Sequence, residues 1–546
     1  MTNKSIIIAI LLLMAGQMVY SQQADNYRGR LRNRFVKVDN TNLPIVFIDV
    51  EGQMIQRDTY ILAKMKIIDN GEGQLNHGDT IAYPDQHIDY QGWIALKYRG
   101  NSSFDSSDKK PYAFRTLKEA VLPDDGGDKK KVEILGMGKD NKWALLAPYS
   151  DRSMIRDLLA FEVARPWMEY TPQGRLCEVY LDGVYYGVHI LCEVVSKGKH
   201  RLNLDDPGLE GDALTGGYLL EVGTNEGPIH ISKYHPVSAD GSYTYTDRFI
   251  LFQFKSPDYV DMDYTQVSYI NGAVDRMEDA FASPNFKDSV EGYRKYIDVQ
   301  SFMDYQLVNE LAHNVDAYRL GAKFYKRRDS IDSRFKMVIW DLNLGFGNCR
   351  HNFGWATNNW MSRQNQILYD NGDYMIPFWW NRLIKDNAYV LARRARWKEM
   401  RESNLQEHRL MGVLDSLANE VTRCGAEARN SQAWPRWGVW VWPNYYVSKS
   451  YQDEISFMKR WIKERVAWMD GALKYTPSPD PPDPPEPVKG DVNADGQVTI
   501  ADVNVVTNII LGGAADQDTL KRADVNGDGE ITLADIAAII DILLSP

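Results

Sequence analysis

The segment MVIWDLNLGFGN (Met337–Asn348) passes from an apolar run into a glycine-rich turn, with Asp341 at the junction and Asn343 two positions on. Residues two apart in an extended segment face the same side, so one ion can meet both side chains. A carboxylate with an amide oxygen suits Mg2+ or Mn2+. A second acid, Asp316, stands in LAHNVDAYRLGAKFYKRRD, after an amphipathic stretch, beside Asn314 and upstream of Lys323. An acid that takes a proton and an acid that holds a metal are the smallest pair that supports phosphoryl transfer. The structural alternative is that both acids merely cap elements.

Cations for such a site are concentrated in KYRGNSSFDSSDKKPYAF. Lys97 and Arg99 alternate along a strand into a Gly-Asn-Ser-Ser turn whose amides and hydroxyls suit an anion, and Lys109 and Lys110 follow. In GVYYGVHILCEVV the acid Glu193 lies within an apolar strand, where it needs a partner. Paired with a lysine of the basic stretch it would orient the amine toward phosphate. Glu221, in GGYLLEVG, is the second candidate partner.

Another chemistry is written twice in the C-terminal tail, as DVNADGQVTIAD (Asp491–Asp502) and DVNGDGEITLAD (Asp524–Asp535). Loop positions 1, 3, 5, 7 and 12 are Asp491, Asn493, Asp495, Gln497 and Asp502 in the first copy. They are Asp524, Asn526, Asp528, Glu530 and Asp535 in the second. Hard oxygen donors at this spacing wrap Ca2+, and glycine at position 6 (Gly496, Gly529) permits the sharp turn, so two calcium ions are expected.

The elements that must hold these groups follow from periodicity. LPIVFIDV, TYILAKMKII, WIALKYRG and PYAFRTL alternate as strands, which makes residues 40–120 an antiparallel, β-rich region. RLCEVYLDGVYYGVHILCEVV is a hairpin turning at Asp182-Gly183. Helical spacing marks SDRSMIRDLLAFEVAR, capped at Ser150 or Asp151, then VQSFMDYQLVNELAHNVD and stretches between 380 and 470. Strands first and helices later give an α+β body. TPSPDPPDPPEPVKG cannot form a core and reads as a spacer, so 476–489 is a linker and 490–546 a separate module with an apolar helical stripe after each loop.

At 546 residues the chain exceeds one core, and its 12% aromatic content is that of a packed protein. Lys4 followed by SIIIAILLLMAG and an exit at Val19 and Ser21 reads as a signal peptide, residues 1–21. That address makes the protein secreted, extracellular or cell-surface-associated, or periplasmic, with no transmembrane segment. Of the net charge of −11, the tail from Gly490 holds most, with ten acids against two bases, so no nucleic-acid surface is expected. The four cysteines show no CxxC spacing; Cys177 and Cys192, flanking the hairpin, are the first candidates for a disulfide.

Two resemblances add to this reading. The paired loops resemble the dockerin family, type I-like, over about 490–546, which implies two Ca2+ ions and a cohesin-bearing scaffold as partner. The usual Ser/Thr recognition pair is absent, positions 10 and 11 being Ile500-Ala501 and Leu533-Ala534. KYRGNSS with KKPYAFR, SDRSMIRDLLAFEVAR, VYLDGVYYGVHILCEVV, HNVDAYRLGAKFYK and WDLNLGFGN resemble, in order, the spore coat protein H (CotH) kinase family, within a domain spanning 22–475 with a core of about 40–460. That likeness implies an atypical protein-kinase-like fold, with a β-rich first part and a helical second part, that transfers the ATP γ-phosphoryl group to serines of a secreted protein. The family's catalytic aspartate falls on Asp316, its metal aspartate on Asp341, and its nucleotide-contacting base on Lys110, with Arg99 and Lys97 as alternatives. The family pattern has an acid where this chain has Asn343, which removes a charge but leaves a coordinating oxygen.

Two other classes compete. One is a kinase-like protein kept for adhesion or structure without turnover. The other is a carbohydrate-directed component of a cellulosome-like complex, using tryptophans such as Trp355, Trp360, Trp440 and Trp442 as sugar platforms.

Overall fold

The computed structural model describes residues 33, 35–477, 488–494, 497–511, 515 and 517–544. The expected signal peptide, all but the ends of the linker, and the loop residues Asp495 and Gly496 lie outside the described residues. The chain divides into two compact units, Met1–Thr476 and Pro477–Pro546.

Alternating apolar residues build the first half of the larger unit into a closed barrel. Its strands are β1 (Ile45–Asp49), β2 (Ile61–Ile68), β3 (Ile88–Tyr98), β4 (Tyr112–Thr116), β7 (Lys142–Leu146), β8 (Gly174–Leu181) and β9 (Val184–Glu193), in the order β1-β2-β3-β4-β7-β9-β8. All neighbours are antiparallel except the closing pair, where β1 runs parallel to β8 with Ile45 opposite Glu178. Val46, Ile48, Met65, Leu96, Phe114 and Trp143 belong to its core. A ribbon of β5 (Val132–Ile134) and β6 (Met137–Asp140) stands beside it. The hairpin turns at Asp182 (φ 48) and Gly183 (φ 73), the left-handed pair that a two-residue type I′ turn needs.

The second half is an antiparallel sheet in the order β11-β12-β10-β13-β14: β10 (Tyr218–Val222), β11 (Ile229–Ile231), β12 (Leu251–Ser256), β13 (Ala322–Lys326) and β14 (Phe335–Val338). Period two divides its faces. Tyr218, Leu220, Val222, Phe252 and Phe324 enter a large core shared with the helices, while Glu221, Gln253, Lys255 and Lys323 line a cleft. The principal helices are α1 (Arg156–Ala164), α2 (Tyr264–Ala282), α3 (Val299–Ala312), α4 (Asn387–Arg401), α5 (Glu407–Thr422), α6 (Ala426–Ala433) and α7 (Tyr451–Leu473). The α+β body with its β-rich first part is as expected; the closed barrel was not, and the second part is not simply helical, because β10–β14 form a sheet interleaved with α2 and α3.

Two local expectations are corrected. Helix α1 starts at Arg156, not at Ser150, because Asp151 closes a preceding turn by accepting the Ser153 amide at 3.1 Å and the Arg156 amide at 3.0 Å. All four cysteines are free. In the β8–β9 register Cys177 lies opposite His189 and Cys192 opposite Gly174, and their side chains join different cores, so a bond between them is out of reach.

The smaller unit contains α8 (Ile500–Ile510), α9 (Gln517–Ala523) and α10 (Leu533–Leu544). Its core is Val492, Val506, Ala523, Val525 and Ile539. Helices α8 and α10 follow the two acidic loops as the apolar stripes predict; α9 was not anticipated. Among the described residues no helix is long and apolar enough to cross a membrane.

Candidate functional site

A cleft of about 600 Å³ brings together residues from the barrel, the second sheet and the loops after α3 and β14. Arg99 enters it where β3 ends, Glu221, Lys255 and Lys323 from the sheet, Asp157 from α1, and Asp316, Asp341 and Asn343 from the loops.

The two acids expected to act together are fastened to each other's backbone by one residue. Helix α3, capped by Asp298 accepting the Ser301 amide at 3.0 Å, ends at His313 in the left-handed region, φ 50. Asn314 follows, 2% exposed. Its amide nitrogen donates to the Asp341 carbonyl at 3.2 Å, and its oxygen accepts the Asp316 amide at 3.3 Å. Asp341 has φ 60, an uncommon conformation for a residue other than glycine and one concentrated at functional sites.

The turn behind Asp341 is clamped from three sides. Phe346 N donates to Ala312 O at 2.6 Å, tying the turn to α3. Arg156, fully buried, donates through Nε to Gly345 O at 3.2 Å while pairing with Asp151 at 2.6 Å and Glu454 at 2.8 Å. Gly347 (φ 76) lies so close to Trp461 of α7 that a Cβ would sit 2.6 Å from the indole, so glycine is required twice over.

The charges in the cleft perturb one another. Asp341 opens to solvent within the cleft but is packed round by protein; this enclosure and the Asp316 charge raise its carboxyl above the usual range, against Arg99 and Lys323. The Asn343 side-chain nitrogen donates to Asp341 Oδ1. Burial, then Asp341, pushes Asp157 up to about 8, opposed by the Leu342 amide donating to its Oδ1 at 2.7 Å. Asp316 accepts Arg319 at 3.0 Å through Oδ1. Arg99 stacks its guanidinium 5.2 Å from the Trp340 ring, and its buried Nη1 has no hydrogen-bond partner. Lys323 and Glu221 are direct cross-strand neighbours on β13 and β10 and form an ion pair; Lys255 reaches the same carboxylate at 3.3 Å. Burial lowers the Lys323 amine, opposed by the Asp341 charge, while Glu221 pairs with it directly.

Arg99, Asp316, Asp341 and Asn343 thus meet in one cleft, and three other expected groups do not. Lys110 donates to Phe104 O at 2.6 Å and lies over that ring at 4.5 Å. Lys97 lies over Tyr60 at 4.9 Å. Glu193 pairs with Arg201 and accepts the Tyr170 hydroxyl at 3.1 Å and the Gln173 amide at 3.0 Å, closing the end of the hairpin instead of orienting a lysine. Lys109 is equally structural: fully buried, it donates to Val188 O and, at 3.0 Å, to Asn430. The lysine–glutamate pair exists, but Glu221 and Lys323 make it. Sequence reading missed Asp157 and Lys255; an acid that interrupts the otherwise apolar face of SMIRDLLAF was the available signal. Of the tryptophans, Trp379 and Trp380 are core, whereas Trp442 lines the cleft and is 39% exposed.

In the smaller unit the position-12 acids are fully buried and reach back across their loops. Asp502 accepts the Val492 and Asn493 amides at 2.8 and 3.0 Å through Oδ1 and the Thr499 amide at 2.8 Å through Oδ2. Asp535 accepts Asn526 N at 3.1 Å and Thr532 N at 2.9 Å. Asp524 accepts the Gly527 and Gly529 amides at 2.8 and 3.0 Å, and Asp528 accepts Glu530 N at 2.9 Å. Gly529 has φ 88, as position 6 of a calcium loop requires. Among the described residues no three acid, histidine or cysteine side chains gather as a metal cluster.

The family model described as CotH kinase protein matches residues 96–469 of the chain. The chain belongs to the CotH kinase protein family. The matched span of this CotH unit contains the whole cleft, from Arg99 to Trp442. The model of the dockerin type I domain matches residues 489–544, both acidic loops included. Dockerin domains generally bind Ca2+ and imply a cohesin-type partner. No curated protein matches the chain.

Proposed function

We propose that the CotH unit is a protein serine kinase with a kinase-like division of labour across its cleft, secreted and carried by the dockerin to a cohesin-bearing scaffold. The observation that carries this reading is the meeting of Asp316, Asp341 and Asn343 with Arg99 and the Glu221–Lys323 pair in one cleft. ATP is the donor substrate. Arg99, Lys323 and Lys255 offer positive charge to its phosphates, Arg99 with an Nη1 already stripped of protein partners. Asp341 and Asn343 would hold Mg2+ or Mn2+, oxygen donors that fit such an ion, which when bound neutralises charge on the phosphates. Asp316 orients the serine hydroxyl and takes its proton as the oxygen bonds to the γ-phosphorus and the β–γ bridging bond breaks, releasing ADP. Arg319 holds the other Asp316 oxygen.

In the dockerin, Asp491, Asn493, Asp495, Gln497 and Asp502, and Asp524, Asn526, Asp528, Glu530 and Asp535, would hold one Ca2+ each, the donors being hard oxygens throughout.

Incubation of the protein with γ-labelled ATP, Mn2+ or Mg2+ and a serine-bearing protein acceptor tests the kinase reading. Label should enter the acceptor, and Asp316→Ala and Asp341→Ala should abolish it. Nucleotide binding without transfer would leave a noncatalytic relative; transfer that survives both substitutions would remove the assigned roles.

A further inference from the structure

Asp157 has no role in the proposed mechanism, yet it is 5% exposed, ionisable and lines the same cleft as Asp341. Only one of its oxygens is engaged: Oδ1 accepts the Leu342 amide at 2.7 Å, one peptide beyond Asp341, and Oδ2 takes no hydrogen bond among the described residues. Asp341, which opens to solvent within the cleft, accepts Asn343 through Oδ1, and its Oδ2 takes no hydrogen bond among the described residues. Among the described residues no arginine or lysine forms an ion pair with either acid: Lys323 and Lys255 contact Glu221, and Arg99, whose charge is felt by both acids, lies over Trp340. Asp157 is buried beside the Asp341 charge, while Asp341 opens into the cleft; a buried acid held against a second acid is costly, and a cation between the two would offset that cost. Asn343 cannot neutralise them, because its amide is uncharged.

We propose that Asp157 is the second carboxylate ligand of the divalent cation held by Asp341, so that helix α1, which no motif of the catalytic loops includes, completes the metal site. This rests on the kinase reading for the identity of the ion. Oδ1 fixes the Leu342 peptide and therefore the rotation of Asp341, and Oδ2 meets the ion. The chain then supplies two negative charges to a dication where Asp341 with Asn343 would supply one, and affinity in oxygen-liganded sites follows that count.

The test uses the full chain, with excess Ca2+ to occupy the dockerin loops, and reads free Mn2+ by electron paramagnetic resonance with and without a nonhydrolysable ATP analogue. Asp157→Asn keeps an oxygen for the Leu342 amide, so its melting curve should match the parent while Mn2+ affinity falls at least about tenfold. Adding Asn343→Asp to Asp157→Asn should restore most of that loss, because the charge returns from the other side of the ion. Parental Mn2+ affinity in Asp157→Asn, alongside its loss in Asp341→Asn, would overturn the assignment and leave Asp157 a brace for the Leu342 peptide. Failure of Asn343→Asp to restore binding would also overturn it. A parent that binds no Mn2+ in the cleft with or without nucleotide would instead remove the kinase reading and this one together.

Discussion

At the scale of single residues, the cleft separates cations that face a ligand from cations that hold the fold. Lys110 is satisfied by Phe104 and stands outside the cleft, whereas Lys323 is inside it, beside Glu221 and across from Asp341. Truncation therefore distinguishes them. Lys323→Ala should weaken binding of an ATP analogue by at least about tenfold, because a desolvated charge partner is lost, and should lower stability by about 1–3 kcal/mol as Glu221 loses its closest counter-ion. Lys110→Ala should leave nucleotide affinity unchanged. Titration calorimetry on both variants checks the assignment; equal losses would return Lys110 to the site. The difference was not legible in the sequence. KKPYAF places two lysines beside a serine-rich turn, but strand parity and the position of Phe104 decide where each amine goes. Glu221 and Lys323 lie far apart in the chain and become neighbours only through the β10–β13 register.

At the scale of elements, what was legible and what was not divides by the range of the interaction. The Asp182-Gly183 hairpin, helix α3, and the helices after the acidic loops depend on neighbours a few residues away, and sequence spacing reports them. The clamp on the Asp341 turn depends on α1 and α7 arriving together, and only the fold reports that. Arg156 is its centre, buried between Asp151, Glu454 and Gly345 O. Arg156→Met should cost roughly 3–5 kcal/mol in urea unfolding, because two acids are left buried without their cation. If the protein still folds, its ATP affinity should drop as well, since the turn carrying Asp341 loses a tie. Helix α3 has a pH signature of its own. His313, which ends it, bonds Asn359 at 2.5 Å, and burial with the nearby Arg465 holds its imidazole down to about 3. The unfolded chain protonates this histidine near its ordinary 6.5 and the folded chain does not. Stability is therefore unaffected by this group above about pH 6.5 and falls as pH drops from there toward 3. By pH 5 the loss from His313 should reach about 2 kcal/mol. His313→Asn suits the left-handed φ and cannot titrate. Its urea midpoint should start lower at pH 7 and decline less between pH 6.5 and 4 than that of the parent; parallel curves would remove His313 from the acid response.

At the scale of the whole molecule, the two units should answer to different ions. The smaller unit has a core of few residues, Val492, Val506, Ala523, Val525 and Ile539, too small to be robust without further support. Its position-12 acids, Asp502 and Asp535, are buried and, among the described residues, have no cationic partner, so a cation bound in the loops would compensate charge that the fold otherwise has to bear. The larger unit has extensive cores of its own. Ca2+ at a thousand times its dissociation constant stabilises a one-site fold by about 4 kcal/mol, and none of that reaches a domain that does not bind it. Calorimetry of the full chain should accordingly show two transitions. Replacing chelator with Ca2+ should raise the one assigned to residues 488–544 and leave the larger unit's unmoved. Asp524→Ala with Asp535→Ala should cut the calcium shift, lower helical circular dichroism from α8 and α10, and weaken capture by a cohesin, while labelled-phosphate transfer by the CotH unit continues. A calcium shift in both transitions would mean that the ion also binds the larger unit or that the units unfold as one. The same measurement in Mn2+ with saturating Ca2+ should move only the larger transition, which places the two ions in separate units of one chain.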